Sequence, residues 1–255
     1  MLDLAMAHRS EIGQRSRNED ALRVARIGTT GHMVLADGAG GHQRGVEAAR
    51  RVVDHVDAAL AEYSQQGLPP DAAWLASAIR AAHGELQQQQ SGADTRQHMH
   101  ATVAALWIDC AARLAVWGHV GDTRLYHLRA GRLLHTTVDD SVVQSMVDAG
   151  FLSPAQARDH PNKNQLLAAL GMADRIEPHT AASELLEGDA FLLCTDGWWD
   201  PLDDALLVHT LARSTSPQGW LDALHRHIAE HAPQRQDNHS AIAVWLGRAG
   251  GLTAT

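Results

Sequence analysis

Six short apolar runs with strand character most constrain how this chain can fold. They are "HMVLAD" (32–37), "ATVAALWID" (101–109), "RLAVWGHV" (113–120), "RLYHL" (124–128), "AFLLCT" (190–195) and "SAIAVWL" (240–246). Each is bounded by turn-forming residues and enriched in residues that suit a pleated, half-buried surface. The runs arrive in hairpin-like pairs, as across "RAGR" (129–132), while the helical segments are grouped. That order predicts antiparallel sheets covered by helices, an α+β arrangement, and argues against alternating βαβ units.

Helical periodicity fills in the covering layers. Apolar positions 46, 49, 53, 56 and 60 advance in steps of three and four, and a second helix is predicted from Asp71 to about Gln88 with Leu75, Ile79, Ala82 and Leu86 on one face. "SVVQSMVDAG" and "SPAQARDH" read as two short helices, the second opened by Ser153 as N-cap and Pro154 at the first helical position. "QQQQSGADTRQ" (87–97) reads as a loop and 248–255 as a loose tail after a single domain spanning 1–247.

Composition excludes several function classes. With 255 residues, 45% of them hydrophobic, the chain can bury one large core. A formal charge of −9 argues against a nucleic-acid groove, which needs Lys and Arg to neutralise phosphates. No apolar run approaches the roughly 18 residues of a membrane span. "MLDLAMAHRSEIGQ" lacks the basic and apolar regions of a signal peptide, so a cytoplasmic location is expected, with Cys110 and Cys194 as buried reduced thiols. The 17 histidines are scattered, and "HMH" (98–100) lacks the i, i+4 spacing of a helical metal pair.

The acidic residues carry the chemistry. Asp37 ("VLADG"), Asp122 ("HVGDTR") and Asp196 ("LLCTDG") follow strand-like runs, Asp237 ("QDNHS") precedes one, and "RSRNED" adds Glu19 and Asp20. A lone Asp-Gly is ordinarily a turn, but strand ends on one edge of a sheet can converge. Two carboxylates about 4 Å apart repel by roughly 4 kcal/mol at an effective dielectric near 20. So either these groups scatter over the surface or cations neutralise them. An all-oxygen set favours Mg²⁺ or Mn²⁺, and a pair of such ions about 3.5–4 Å apart is suited to attack on phosphorus. "DGAGGH" (37–42) admits a second reading, a phosphate cradle. However, Gln43 stands where a dinucleotide loop needs glycine, and no Gly-Lys-Ser/Thr follows. The glycines fit better as clearance around Asp37, with Gly38 offering its carbonyl.

"GQRSRNEDA", "VLADGAGGHQRGVEAA", "VGDTRLYHLRAG", "DDSVVQSMVDAGFLSPAQARDHPNKNQLLAALG", "LLCTDGWWD" and "DNHSAIAVWL" occur in one order. In that order they resemble the metal-dependent PPM (protein phosphatase 2C-type) serine/threonine phosphatases in their compact bacterial form. The resemblance implies a four-layer α-β-β-α sandwich of two antiparallel sheets, with the metals at one end and a mobile flap at about 141–165. It further implies that Asp37 bridges two Mn²⁺ or Mg²⁺ ions and that Gly38 gives a backbone carbonyl. Asp196 and Asp237 would complete the first ion's shell, and Glu19 and Asp20 would hold waters around the second. Asp122 would share with Asp196 a third, weaker ion. Arg15 would grip the substrate phosphoryl group, and His42 would assist proton transfer to the leaving oxygen.

The implied activity is hydrolysis of phosphoserine and phosphothreonine in proteins by direct attack of a metal-bridging hydroxide. The implied setting is a monomer opposing a serine/threonine kinase and its targets. Two alternatives stay open: an idle binding domain of the same fold, and a hydrolase of small phosphate esters. Two departures stand out. Met99, His100, Ala101 and Thr102 replace the usual Met-Gly-Thr-Thr, and Asp140 stands where histidine is common. They bear on substrate preference and flap behaviour.

Overall fold

The computed structural model describes residues 2–40, 44–90, 98–172, 174–231 and 236–247. One sheet has the order β1-β11-β10-β7-β8, formed by β1 (Leu4–Glu11), β11 (His239–Leu246), β10 (Ala190–Cys194), β7 (Arg124–Arg129) and β8 (Arg132–Thr136). The other has the order β2-β3-β5-β6-β9, formed by β2 (Asp20–Ile27), β3 (Thr30–Gly40), β5 (Val103–Asp109), β6 (Leu114–Val120) and β9 (His179–Glu184), with β4 (Met99–Ala101) also paired to β3. The registered pairs within both sheets are antiparallel.

Strand alternation divides the core into layers. In β5, Val103, Ala105 and Trp107 face one way, against α1 (Arg44–Gln65) and α2 (Ala72–Gln89). Ala104, Leu106 and Ile108 face the other way and meet Phe191, Leu193, Ile242 and Val244 between the sheets. On the far side of the β1-β11-β10-β7-β8 sheet, Leu192, Cys194, Ala241 and Ala243 pack on α5 (Asp196–Trp199), α6 (Asp204–Arg213) and α7 (Pro217–His231) through Trp198, Trp220, Leu224 and Ile228. The period of two thus feeds two cores from each strand, producing the expected α-β-β-α sandwich.

The α1 stripe runs through Ala49, Val53, Val56 and Leu60, all buried, but Val46 is exposed. Asp71 caps α2, its side chain accepting from the Trp74 amide. Five strands escaped the sequence reading: β1, β2, β4, β8 and β9. Four of them mix charged or polar residues with few large apolar ones, as in "HTAASE" and "DALRVARI", so their strand form rests on pairing with neighbours. The Gly-rich stretch is another correction. β3 does not end at Asp37 but runs on through Gly40, because β4 supplies partners at Gly38↔Ala101, Ala39↔His100 and Gly40↔Met99.

Ser141 caps α3 (Val142–Asp148), and Ser153 caps α4 (Pro154–Arg158) in a reciprocal capping box with Gln156. The excursion carrying both helices is closed at its base, where the Val142 amide donates to Gln165 O and the Leu167 amide to Asp140 O. Cys110 and Cys194 are buried and unbridged. No helix among the described residues is long and apolar enough to cross a membrane. Gln87, Gln88 and Gln89, read as loop, are the last residues of α2, while 91–97 and 248–255 lie outside the described residues.

Candidate metal centre

Register brings the acidic residues together. Asp20 opens β2 and lies directly across from Asp37 on β3, so their side chains share one face as cross-strand neighbours. From the other sheet, Asp196 follows β10 and Asp237 precedes β11, adjacent strands whose ends are joined where the Thr195 amide donates to Ser240 O. Asp122 lies in the turn between β6 and β7. The two sheets therefore deliver carboxylates to one edge of the sandwich.

Electrostatics show how close this grouping is. Burial pushes Asp37 well above the usual carboxylate range, and the charges of Asp20, Asp196, Asp122 and Asp237 push it further. Asp122 is raised by burial and by Asp196, with Arg124 opposing. Asp196 is raised to about 6 by burial and Asp237, and Asp20 to about 7 by burial, with Asp196 adding to it. Glu19 is raised chiefly by burial, while Arg15 pulls it down. This is the convergence that the turn-only reading excludes.

The donor set fits hard divalent cations. Asp20 Oδ1 and Asp196 Oδ1 are buried with no hydrogen-bond partner, which is costly for acceptors that nothing else satisfies. Gly38 also fits a close approach: a Cβ there would lie 2.0 Å from Gly45 O and 2.9 Å from Glu19 O. Its amide is committed to Glu19 O at 3.1 Å and is not free to receive a phosphate. Among the described residues no three acidic, histidine or cysteine side chains form a finished metal cage. Instead Arg15 bonds Asp237, and Thr195 Oγ1 donates to Asp20 Oδ2 at 3.1 Å.

Several positioning residues escaped the sequence reading. Asn238, buried beside Asp237, accepts from the Glu19 amide and donates to Ile12 O and Arg17 O, each at 2.8 Å. It stitches the 12–19 loop, with Arg15 and Glu19, to the start of β11. Thr102 Oγ1 accepts from the Asp37 amide at 3.1 Å and lies 2.6 Å from Thr123 Oγ1, tying β3 to the Asp122 turn. Thr102 thus keeps its structural place although His100 and Ala101 depart from the pattern. Asn238 is the neighbour of Asp237 in sequence, but nothing local links Thr102 to Asp37 or Asn238 to Glu19. Arg15 itself is well exposed. His42 lies outside the described residues.

The profile of the protein phosphatase 2C family matches residues 8–238. The serine/threonine protein phosphatase PstP of Mycobacterium tuberculosis is 35% identical over 213 residues, covering 82% of this chain and 39% of PstP. The chain therefore spans about two-fifths of that relative's length. Protein phosphatase PhpP of Streptococcus pneumoniae is 30% identical over 191 residues, covering 74% of this chain and 76% of PhpP. Among solved structures, the catalytic domain of PstP in complex with two manganese ions matches with a TM-score of 0.81 at 29% identity, covering 97% of this chain and 100% of that one. The profile matches most of the chain, and the chain belongs to the protein phosphatase 2C family.

Proposed function

We propose that this protein is a Mn²⁺- or Mg²⁺-dependent phosphatase acting on phosphoserine and phosphothreonine in proteins. The observation that carries the reading is the gathering of the enclosed carboxylates Asp20, Asp37, Asp122 and Asp196, with the part-exposed Asp237 and the exposed Arg15 beside them. Asp37 would serve both core ions with the Gly38 carbonyl beside it, Asp196 and Asp237 would complete the shell of the first, Glu19 and Asp20 would hold water around the second, and Asp122 with Asp196 would hold a third. When bound, these ions neutralise the carboxylates, polarise the phosphoryl group and lower the pKa of water near the site.

The chain's own groups do the rest. Arg15 stands on the 12–19 loop, and its planar fork suits phosphoryl oxygens in both bound substrate and transition state. Its bond to Asp237 keeps it beside the carboxylates until substrate arrives. His42 is proposed to protonate the leaving serine or threonine oxygen, which is a poor leaving group as an alkoxide.

The excursion at 141–165 is proposed to be a substrate-facing flap. With α5 it encloses a cavity of about 240 Å³ lined by Val143, Val147, Lys163, Arg124, Trp199 and Asp200. Lys163 Nζ reaches Asp200 at 2.5 and 2.7 Å across it. A phosphoprotein substrate, an opposing serine/threonine kinase, a monomeric state and a cytoplasmic location complete the proposal. Of these, the phosphoprotein substrate is supported by the protein-phosphatase names of the PstP and PhpP relatives. The test is phosphate release from a phosphothreonine peptide with Mn²⁺ and with chelator. Turnover by demonstrably metal-free protein refutes it.

A further inference from the structure

Asp122 depends on a turn that needs outside support. Gly121 before it has φ +96°, and a Cβ there would lie 2.6 Å from Thr102 Cγ2. Glycine reaches that region freely but is not held there by its own sterics. The restraint comes from the segment just before the flap. The Gly121 amide donates to Asp140 Oδ2 at 2.9 Å, and the Asp140 amide donates back to Gly121 O at 3.0 Å.

The other Asp140 oxygen is also committed. Oδ1 lies 2.9 Å from His179 Nε2 on β9, and the His179 ring stacks on buried His119 with centroids 5.1 Å apart. His119 Nε2 in turn bonds Val138 O at 2.9 Å. With both oxygens engaged, the Asp140 rotamer is fixed, and an N–H bonded to a carboxylate is held more strongly than one bonded to a neutral acceptor. The Asp140 carbonyl meanwhile accepts from Leu167 at 2.7 Å, closing the flap base. One residue thus grips the Asp122 turn and the root of the flap together. The neighbouring Asp139 grips Arg124 at 2.8 and 2.7 Å, so adjacent acids clamp both sides of Asp122.

We propose that Asp140, oriented by His179, is a positioning residue that presents Asp122 to its cation. The inference rests on the reading of Asp122 as a cation ligand. It gives a role to the aspartate that stands where histidine is common, because its two oxygens take the Gly121 amide and meet His179 at once.

The test compares Asp140→Ala, Asp140→Asn, His179→Ala and Asp122→Ala. The readouts are Gly121 amide exchange in metal-free protein, calorimetric Mn²⁺ binding, and the Mn²⁺ concentration giving half-maximal turnover of a phosphothreonine peptide. Asp140→Ala is expected to speed Gly121 exchange and raise the half-maximal Mn²⁺ about tenfold or more, in the range for ligand-orienting partners. Asp140→Asn keeps an acceptor for the amide and recovers most of that loss. His179→Ala removes a half-exposed ring, folds in any case, and shifts Mn²⁺ demand the same way by less.

If Asp122→Ala raises Mn²⁺ demand while Asp140→Ala and His179→Ala do not, the positioning role is overturned and the Asp122 reading stands. If Asp122→Ala itself leaves Mn²⁺ demand unchanged, that reading fails and takes the positioning role with it. A general rise in exchange across both sheets with unchanged Mn²⁺ demand also overturns the proposal, by marking Asp140 as structural only.

Discussion

Replacing Asn238 by alanine is expected to damage the site well beyond its effect on the fold. The side chain is buried and makes three hydrogen bonds of 2.8 Å, to the Glu19 amide, Ile12 O and Arg17 O. Leaving a buried polar group unpaired costs about 1–3 kcal/mol. Ile12 O keeps a longer contact from the Arg15 amide at 3.4 Å, and Arg17 is exposed enough for water to reach its backbone. The Glu19 amide therefore carries most of the penalty, and a total of about 2–4 kcal/mol follows.

At about 2–4 °C per kcal/mol for a chain of this size, melting falls by about 5–15 °C. Activity suffers more, because the freed loop carries Arg15 and Glu19, and a shift of about 1 Å in a positioning group can cost about 10²-fold. The assay is kcat/KM on a phosphothreonine peptide, measured well below the melting transition. Asn238→Asp makes a useful second variant. It keeps the acceptor for Glu19 but sets a carboxylate against two carbonyls, so it should fare no better than alanine. If Asn238→Ala melts lower yet retains kcat/KM within about threefold of wild type, the stitch is structural and this account of the loop is wrong.

Arg15→Ala should raise KM and lower kcat/KM for every phosphorylated substrate, and a change in kcat alone would contradict its phosphoryl-binding role. His42→Ala should slow a phosphothreonine peptide by about 10²-fold and spare para-nitrophenyl phosphate, whose leaving group needs no proton; equal losses on both would assign the proton elsewhere. Stability should fall as pH drops from about 6.5 to about 4 through His32. Burial holds its pKa near 4 in the folded chain, Nε2 bonds Ser64 Oγ at 2.8 Å, and the pull of Asp57 at 3.8 Å from Nδ1 is too weak to reverse that. Between those pH values only the unfolded chain binds this proton, so up to about 3 kcal/mol is lost on acidification. His32→Gln should flatten that limb of the stability curve, and an unchanged slope in urea titrations would refute the assignment.

The layered fold was legible where a strand carries its own pattern. β5, β10 and β11 are apolar on both faces because each feeds two cores, and their runs stand out in the sequence. β9, with "HTAASE", holds its place through pairing with β6, which no local pattern records. The site divides the same way. Its carboxylates were legible because an aspartate at the end of an apolar run is a visible junction. The residues that aim them were not, since the bond from Asn238 to Glu19 spans 219 positions and that from Thr102 to Asp37 spans 65. The bond from the Gly121 amide to the Asp140 carboxylate spans 19 positions and leaves no mark in the local sequence either.

The most direct test of the central claim is a crystal structure of the protein grown with Mn²⁺ and read by the anomalous signal at the manganese edge. The account predicts two strong peaks between Asp37, the Gly38 carbonyl, Asp196 and Asp237, with Arg15 released from Asp237, and a third, weaker peak at Asp122. Manganese bound elsewhere, or no peak among these carboxylates in protein that still hydrolyses phosphothreonine peptides, would contradict it.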